Sequence, residues 1–304
     1  MPSSFRVLLV GLVMCLLALV QLQAQKATCT NWNLWLLNAA DPSNPFGDPQ
    51  GVNDNRTVVG NADFSTGLTN QPKFWGFVHY SSGKITYWRP ANAKFSTFEG
   101  RNNVGNTVGN YTDTLGVRHA AFLHGSTTTL IVHPKAARHS TRAFDINNLN
   151  TILGDYFDTN GVHHNFKRRS DGTFLSVPNF PGSAGTLARA FNDNGVVVGT
   201  YGLPRDPTGT QHGFIYRNGS FATLNYRNDV RTWTDLVGID SNGVVIGNRV
   251  AIGGPGFLYR NGVFKDIVGP NGQYVTARGI SVNGIITGLV DKSHTTYGFT
   301  AKCQ

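Results

Sequence analysis

Short apolar segments that end in glycine alternate with polar turns along most of the chain. The clearest example is FNDNGVVVGTYG at Phe191–Gly202, where an Asn-Gly pair separates an apolar residue from a β-branched run. Asn and Gly readily adopt the positive φ angles that two-residue hairpin turns require. The pattern therefore predicts two antiparallel strands joined by a tight turn.

The same hairpin pattern recurs six times. The glycine that ends each apolar run, called the anchor glycine below, is Gly60, Gly109, Gly154, Gly199, Gly247 or Gly288. Successive anchors lie 49, 45, 45, 48 and 41 residues apart. A repeat period in the forties is typical of solenoids and propellers.

A second alternating block follows the anchor in every unit. In five units it contains a strand, a Gly-containing or polar turn and another strand, as in GFIYRNGSFATL after Gly199. Each complete unit therefore holds four antiparallel strands. The stretches between blocks, such as GLPRDPTGTQ, are rich in Pro and Gly and indicate surface loops. Six four-stranded units predict an all-β, six-bladed β-propeller.

The sixth unit lacks its fourth strand, because the chain ends at GFTAKCQ. The segment TNWNLWLLN, residues 30–38, has strand character but no unit of its own. We expect this N-terminal strand to pair with the C-terminal blade and close the ring. The alternative fold is a linear β-solenoid, which requires terminal caps and no closing strand.

The N-terminus has the features of a secretory signal peptide. Arg6 precedes a 14-residue apolar run from Val7 to Val20, and the small residue Ala24 is the candidate cleavage site. The run is shorter than the roughly 20 residues of a membrane-spanning helix. We predict a signal peptide at residues 1–24 and a single domain at 25–304, secreted or periplasmic. A retained signal anchor is the alternative.

Removal of the signal leaves two cysteines, Cys29 and Cys303, near opposite ends of the mature chain. An even pair in an oxidising compartment indicates a disulfide. It would replace the turn that the sixth blade lacks. The alternative is a pair of buried thiols.

The mature chain is basic. Loss of Arg6 reduces the 26 Lys and Arg to 25 against 17 acids, a net charge of +8. A basic surface attracts anions but fixes no chemistry, so nucleic acid is not an expected partner. No later segment is apolar enough to cross a membrane. We expect the protein to be a monomer. Glu99 is the only glutamate, beside sixteen aspartates.

Three second blocks begin with histidine after a Gly-x-Tyr segment: HAAF at His119, HNF at His164 and HGF at His212. With the Asn-Asp-x-Gly turns, they resemble the HAF family of extracellular repeat proteins over the whole mature chain. The resemblance implies export and a repeat architecture, and it assigns no biochemical activity. Trp75, Pro255 and Tyr297 replace the histidine in the other three units.

Two sets of polar residues are candidate ligand sites. Seven residues before each anchor stands one of Asn53, Asn102, Asn147, Asn192, Asp240 and Ser281. If the first strands line the channel, these form a ring that could bind a sugar or an ion. The alternative is that they hydrogen-bond their own turns. The second set, His119, His164 and His212, could bind a metal or be satisfied by backbone groups.

Familiar catalytic motifs are missing from the sequence. It contains no Gly-x-Ser-x-Gly elbow, phosphate loop or His-Glu-x-x-His motif. SDGTF at Ser170–Phe174 resembles the aspartate box of sialidases but lacks its tryptophan, and a hairpin turn explains it. We predict no catalytic residue, cofactor or metal. The function favoured is a scaffold that binds an extracellular carbohydrate or protein. The alternatives are an enzyme that uses channel aspartates on polysaccharide and a structural envelope protein.

Overall fold

The protein is a ring of six four-stranded antiparallel sheets. The structure, a computed structural model, describes residues 25–36, 47–64, 74–207, 210–230, 233–249 and 255–304. The predicted signal peptide at residues 1–24 lies outside the described residues, as do residues 37 and 38 of the predicted closing strand. No helix among the described residues is long and apolar enough to cross a membrane.

In blades 1 to 5 the strands run outward from the channel in chain order. Blade 1 contains β2 (Gly47–Val52), β3 (Val58–Asp63), β4 (Phe74–His79) and β5 (Ile85–Trp88). Blade 2 contains β6 (Ala93–Arg101), β7 (Thr107–Asp113), β8 (Arg118–His124) and β9 (Thr127–Ile131). Blade 3 contains β10 (Arg142–Ile146), β11 (Ile152–Phe157), β12 (His163–Arg168) and β13 (Phe174–Val177).

Blades 4 and 5 follow the same order, and the N-terminal strand β1 is the outermost strand of blade 6. Blade 4 contains β14 (Gly185–Phe191), β15 (Val197–Gly202), β16 (His212–Arg217) and β17 (Ser220–Thr223). Blade 5 contains β18 (Asp235–Ile239), β19 (Val245–Asn248), β20 (Gly256–Arg260) and β21 (Val263–Asp266). Blade 6 contains β22 (Val275–Ile280), β23 (Ile285–Lys292), β24 (Thr295–Cys303) and β1 (Cys29–Trp35).

The N-terminal strand closes the ring as the sequence predicts. Strand β1 pairs antiparallel with β24, from Cys29 opposite Cys303 to Trp35 opposite Gly298. The predicted disulfide between the two cysteines is present. Residues before β1 also reach blade 5, because the Ala27 amide donates to the Asp266 carbonyl at 2.9 Å. The two ends of the chain therefore complete blade 6, and the N-terminal end also hydrogen-bonds to blade 5.

The anchor glycine is explained by crowding from both sides. Five anchors lie opposite a fully buried phenylalanine of the third strand, namely Phe77, Phe166, Phe214, Phe257 and Phe299. In blade 2 the partner of Gly109 is Ala121, and the ring of Phe98 lies against the glycine instead. Burying one such ring contributes roughly 2 to 3 kcal/mol relative to exposure. The anchor glycine therefore leaves the space that the phenylalanine ring fills.

Strand direction gives the ring two distinct faces. The tight turns that join the first strand of each blade to the second lie on one side, called the turn face. The start of each first strand and the loop from second to third strand lie on the opposite side, called the loop face. Linkers between blades also enter at the loop face.

Three of these linkers pack an aromatic ring onto the following blade, namely the rings of His133, Phe180 and Tyr226. His133 stacks on Tyr156 with ring centroids 3.8 Å apart, and Phe180 stacks on Tyr201 at 3.7 Å. The backbone amides of His133 and Phe180 each donate to a threonine hydroxyl, Thr141 or Thr186. His133 therefore occupies the position that phenylalanine takes one blade later.

Burial of the His133 imidazole predicts that the free energy of unfolding falls at acidic pH. Desolvation, with Lys135 and His164 adding repulsion, lowers the pKa of His133 from 6.5 to about 4. Between those values the unfolded chain binds a proton that the folded chain rejects, so stability is lost as pH falls through this window. We expect His133→Phe to remove about 2 kcal/mol of this loss between pH 7 and pH 4.5.

Urea unfolding of the wild type and the His133→Phe variant at both pH values measures the difference. Phe180→Tyr, which changes the equivalent ring without adding a group that titrates in this range, is the matched control. An identical pH dependence in wild type and His133→Phe would contradict the prediction.

Candidate functional site: the central channel

A cavity of about 110 Å³ lies in the channel, and the first strands of all six blades line it. This space is somewhat smaller than the cavity of about 150 Å³ that holds benzene. It extends from the middle of the first strands to the turn face. Five of the six predicted ring residues line it, and Asp240 does not.

A β-bulge at one equivalent position in every first strand determines which side chains line the middle of the cavity. In β14, Ala188 pairs with the anchor Gly199 and Ala190 with Val198, which leaves Arg189 without a partner across the ladder. Bulges re-aim side chains in this way. The six extra residues, called the bulge ring below, all line the cavity: Gln50, Glu99, Phe144, Arg189, Val237 and Arg278.

Glu99 is the one acid of the bulge ring. Its Oε1 accepts hydrogen bonds from Thr97 Oγ1 at 2.9 Å and Asn110 Nδ2 at 3.4 Å. Burial raises the pKa of Glu99, against the lowering effect of these two donors and of Arg189. The carboxyl group therefore holds a proton more readily than an exposed glutamate would.

Asp145 follows the bulge of β10, where four other blades have glycine and blade 4 has Ala190. Its Oδ1 accepts the Ile146 amide at 2.8 Å, and its Oδ2 accepts the Phe191 amide of blade 4 at 3.1 Å. Burial nevertheless raises the pKa of Asp145 to about 6. The residue both joins two blades and places a proton-binding group in the cavity wall.

The two arginines of the bulge ring face acids of neighbouring blades. Arg278 Nε lies 2.9 Å from Asp48 Oδ1, an ion pair that lacks hydrogen-bond geometry. Burial raises the pKa of Asp48 despite this guanidinium. Arg189 Nε lies 3.8 Å from Asp235 Oδ1, with 43% of the arginine side chain exposed. A ligand can therefore compete for Arg189 at little cost, because a partly exposed pair at this distance is weak.

The predicted polar ring lies at the turn-face end of this cavity. Its members accept amide hydrogen bonds from their own turns, as when Asn192 Oδ1 accepts the Val196 amide at 3.0 Å. Their side-chain amides also reach the next blade, since Asn192 Nδ2 donates to the Asp240 carbonyl at 2.9 Å. Ser281 and Asp240 cap their turns in the same way. The contacts seen are those of the structural interpretation, and ligand binding by this ring stays a prediction.

The turn face also carries a continuous circle of hydrogen bonds between blades. Its links are Asn103 Nδ2 to Asp54 Oδ2 at 2.6 Å, Asn103 N to Asn148 Oδ1 at 2.9 Å, Asn148 N to Asp193 Oδ1 at 2.9 Å, Asn194 Nδ2 to Ser241 O at 3.1 Å, Ser241 N to Val282 O at 3.3 Å and Asn283 N to Asp54 Oδ1 at 2.9 Å. The last link joins blade 6 to blade 1. The rim of the cavity is thereby held in one geometry.

Each of the three predicted histidines pairs with an aspartate of its own blade at the loop face. Nε2 of His119 lies 3.0 Å from Asp113 Oδ2, and the same contact joins His164 to Asp158. In blade 4 the His212 contact to Asp206 is 3.1 Å. No group of three or more His, Cys, Asp or Glu side chains in the described part of the chain is arranged to hold a metal ion.

These histidine contacts have local structural effects. The hydrogen bond from His119 lowers the pKa of Asp113, and that from His164 lowers the pKa of Asp158. The His119 ring also stacks on Tyr111, with centroids 4.6 Å apart. The tyrosine of the Gly-x-Tyr segment therefore supports the histidine that follows it.

Comparison with solved structures shows the fold. The chain matches the β-propeller domain of the trilobed protease from Pyrococcus furiosus with TM-score 0.50 and 12% identity, covering 92% of this chain and 83% of that one. It matches an acylaminoacyl peptidase from Pyrococcus horikoshii with TM-score 0.51 and 10% identity, covering 85% of this chain and 46% of the peptidase.

A gluconolactonase from Xanthomonas campestris matches with TM-score 0.48 and 12% identity, covering 92% of this chain and 97% of that one. No protein-family model matches the chain. A search of curated proteins also found no match. The two matches with TM-scores of 0.50 and 0.51 define the class, a β-propeller, and at 10 to 12% identity they define nothing finer.

Proposed function

We propose that this propeller is an exported binding scaffold that holds the terminal unit of an extracellular carbohydrate in its channel cavity. The observation that carries the proposal is the composition of the bulge ring. Six geometrically equivalent positions bear five different side-chain types, while the anchor glycine beside them is the same in every blade.

A ring of unlike side chains on a repeating frame fits an asymmetric ligand. An ion on the channel axis would be coordinated best by the same type of ligand atom repeated around the ring. Here Gln50 and Glu99 offer hydrogen-bond acceptors, Arg189 and Arg278 offer donors, and Phe144 offers an aromatic face. Sugars present hydroxyls that donate and accept, together with C–H faces that pack on aromatic rings.

Cavity size restricts how much of a glycan can enter. At about 110 Å³ the cavity is smaller than the cavity of about 150 Å³ that holds benzene. One edge of a terminal sugar ring can enter from the turn face, and a polymer threaded through the ring is excluded. The hydrogen-bonded rim on the turn face fixes the entrance, so little ordering is needed on binding. A terminal sugar unit is therefore the expected occupant.

Export completes the proposal. A disulfide between the chain ends is typical of oxidising compartments, and the predicted signal peptide and the resemblance to HAF repeats point the same way. The proposed site of action is outside the cytoplasm, where glycans are abundant.

Two acids in the cavity favour a second candidate, a glycan-cleaving enzyme. Asp145 has a pKa of about 6 and Glu99 a raised pKa, both through burial. A carboxylic acid that keeps its proton near neutral pH can protonate a leaving group, and a second carboxylate can act as base or nucleophile. This candidate predicts release of reducing ends, abolished by Glu99→Gln or Asp145→Asn.

A thermal-shift screen of soluble polysaccharides against the chain lacking residues 1–24 tests the proposal. A saturating ligand is expected to raise the melting temperature by on the order of 5 °C. Arg189→Gln should lose the shift, and Arg169→Gln, an exposed arginine on an outer turn, should keep it. A flat response across the panel would contradict binding and favour the envelope-protein alternative.

A further inference from the structure

A second cavity lies at the loop face of blade 2, between β8, the end of β9 and the linker to blade 3. Its volume is about 290 Å³. It shares no lining residue with the channel cavity. The two are therefore separate sites.

The floor and one wall of this cavity, called the linker pocket below, are apolar. The residues concerned are Ala120, Leu130, Ile131, Val132, Ala136 and Ala137. Leu130 is 48% exposed and Val132 is 70% exposed, although both carry large apolar side chains. Exposed apolar surface gathered in a concave site is a feature of ligand pockets.

Two arginines line the same pocket. Arg118 and Arg138 are exposed, and neither forms a salt bridge with an acid of the described residues. Arg138 Nε donates to His139 Nε2 at 2.7 Å, which leaves the two terminal nitrogens of its guanidinium for other acceptors. The guanidinium groups of Arg118 and Arg138 are the permanently charged groups of the pocket lining.

Hydrogen bonds to blade 3 hold the linker wall in place. Its Ala137 amide donates to the Phe157 carbonyl of blade 3 at 2.7 Å, and the Ser140 hydroxyl donates to the same carbonyl at 2.7 Å. His139 adopts a φ of 63°, an uncommon conformation for a residue other than glycine. His119 forms another part of the lining, fixed by its bond to Asp113. The pocket is preformed, which lowers the ordering cost of binding.

We propose that the linker pocket binds a small organic carboxylate whose apolar body has the size of one or two aromatic rings. The body would occupy the Ala- and Leu-lined floor, and the carboxylate would pair with Arg118 and Arg138, whose planar guanidinium groups suit carboxylate oxygens. The volume supports this size, because an apolar cavity of about 150 Å³ holds benzene and this one is roughly twice as large.

Titration calorimetry with 2-naphthoate tests the proposal, with 2-naphthamide as the neutral analogue of the same shape. We expect 2-naphthoate to saturate one site and the amide to bind at least about tenfold more weakly, because charge-assisted hydrogen bonds are lost. Arg118→Gln and Arg138→Gln should each weaken naphthoate binding about tenfold. Ala137→Leu, which fills the pocket without changing charge, should also weaken binding.

Arg169→Gln is the matched control for loss of a surface charge, and it should leave naphthoate affinity unchanged. Equal affinity for acid and amide, or equal loss in Arg118→Gln and Arg169→Gln, would overturn the proposal. Absence of binding by wild-type protein that melts cooperatively would overturn it too. Arg189→Gln, in the channel, is expected to bind naphthoate normally, so failure at one site does not decide the other.

Discussion

Replacing both cysteines of the closed ring, Cys29→Ser with Cys303→Ser, is expected to lower the free energy of unfolding by up to about 5 kcal/mol. The bond joins residues 274 positions apart and so constrains nearly the whole mature chain when it unfolds. Loop-closure entropy grows with the logarithm of loop length, which places this bridge near the top of the range for single disulfides.

Loss of the bond also weakens a particular strand. Strand β1 is the outer strand of blade 6 and meets the rest of the ring mainly through β24. Its backbone bonds extend past the cysteines, with Thr28 and Gln304 exchanging amide and carbonyl contacts at 3.2 and 3.0 Å. Without the covalent link we expect β1 to open before the remaining blades.

Melting temperature and hydrogen exchange of the double variant measure both effects. The melting temperature should fall by on the order of 10 °C, and the amides of β1 should lose protection first. Wild-type protein treated with a reductant should have the same melting temperature as the double variant. The reductant should leave the melting temperature of the double variant unchanged. Equal melting temperatures for oxidised wild type and the double variant would show that ring closure does not depend on the bond.

The closure itself was predictable because its information is local and repeated. Six anchor glycines and six turn residues fix the units, and a count of strands exposes one missing at the end and one spare at the start. The observed register of Cys29 opposite Cys303 confirms that prediction. Repetition supplies what a single sequence usually lacks, namely several examples of the same local structure.

The bulge ring was not predictable in the same way. One extra residue in a strand shifts the alternation of apolar and polar positions by one. When the partner strand is unknown, this shift looks the same as an ordinary irregularity in the sequence pattern. Gln50, Glu99 and Val237 share no property that would mark them as equivalent. Only the ladder pairing shows that they occupy one level of the channel.

A further signal was present in the sequence and was missed. Asp113, Asp158 and Asp206 each stand six residues before a histidine of the predicted set, and in the structure each pairs with that histidine. The constant spacing was sufficient to predict three separate pairs. Asp291 also precedes Tyr297 by six residues, where the histidine is replaced, and there Thr296 donates to the aspartate at 2.6 Å.

Substitution of an anchor glycine is the other change for which a large effect is expected. In Gly199→Ala the new Cβ would overlap the Leu187 carbonyl oxygen and crowd Ala188 Cα, both atoms of the bulged strand β14. Backbone atoms cannot rotate away as a flexible side chain can, so the two strands must separate or the bulge must move. We expect the free energy of unfolding to fall by about 3 kcal/mol, at the upper end of typical overpacking costs.

The matched control is Gly185→Ala on strand β14, which pairs with the strand β15 that holds Gly199. Gly185 does not have positive φ and has no atom within 4 Å of an added Cβ, so alanine should be neutral or stabilise by up to about 1 kcal/mol. Denaturant unfolding of the two variants compares them directly. Equal stability of Gly199→Ala and Gly185→Ala would show that the bulge relaxes freely. The bulge ring would then lack the rigid support that carbohydrate recognition in the channel requires.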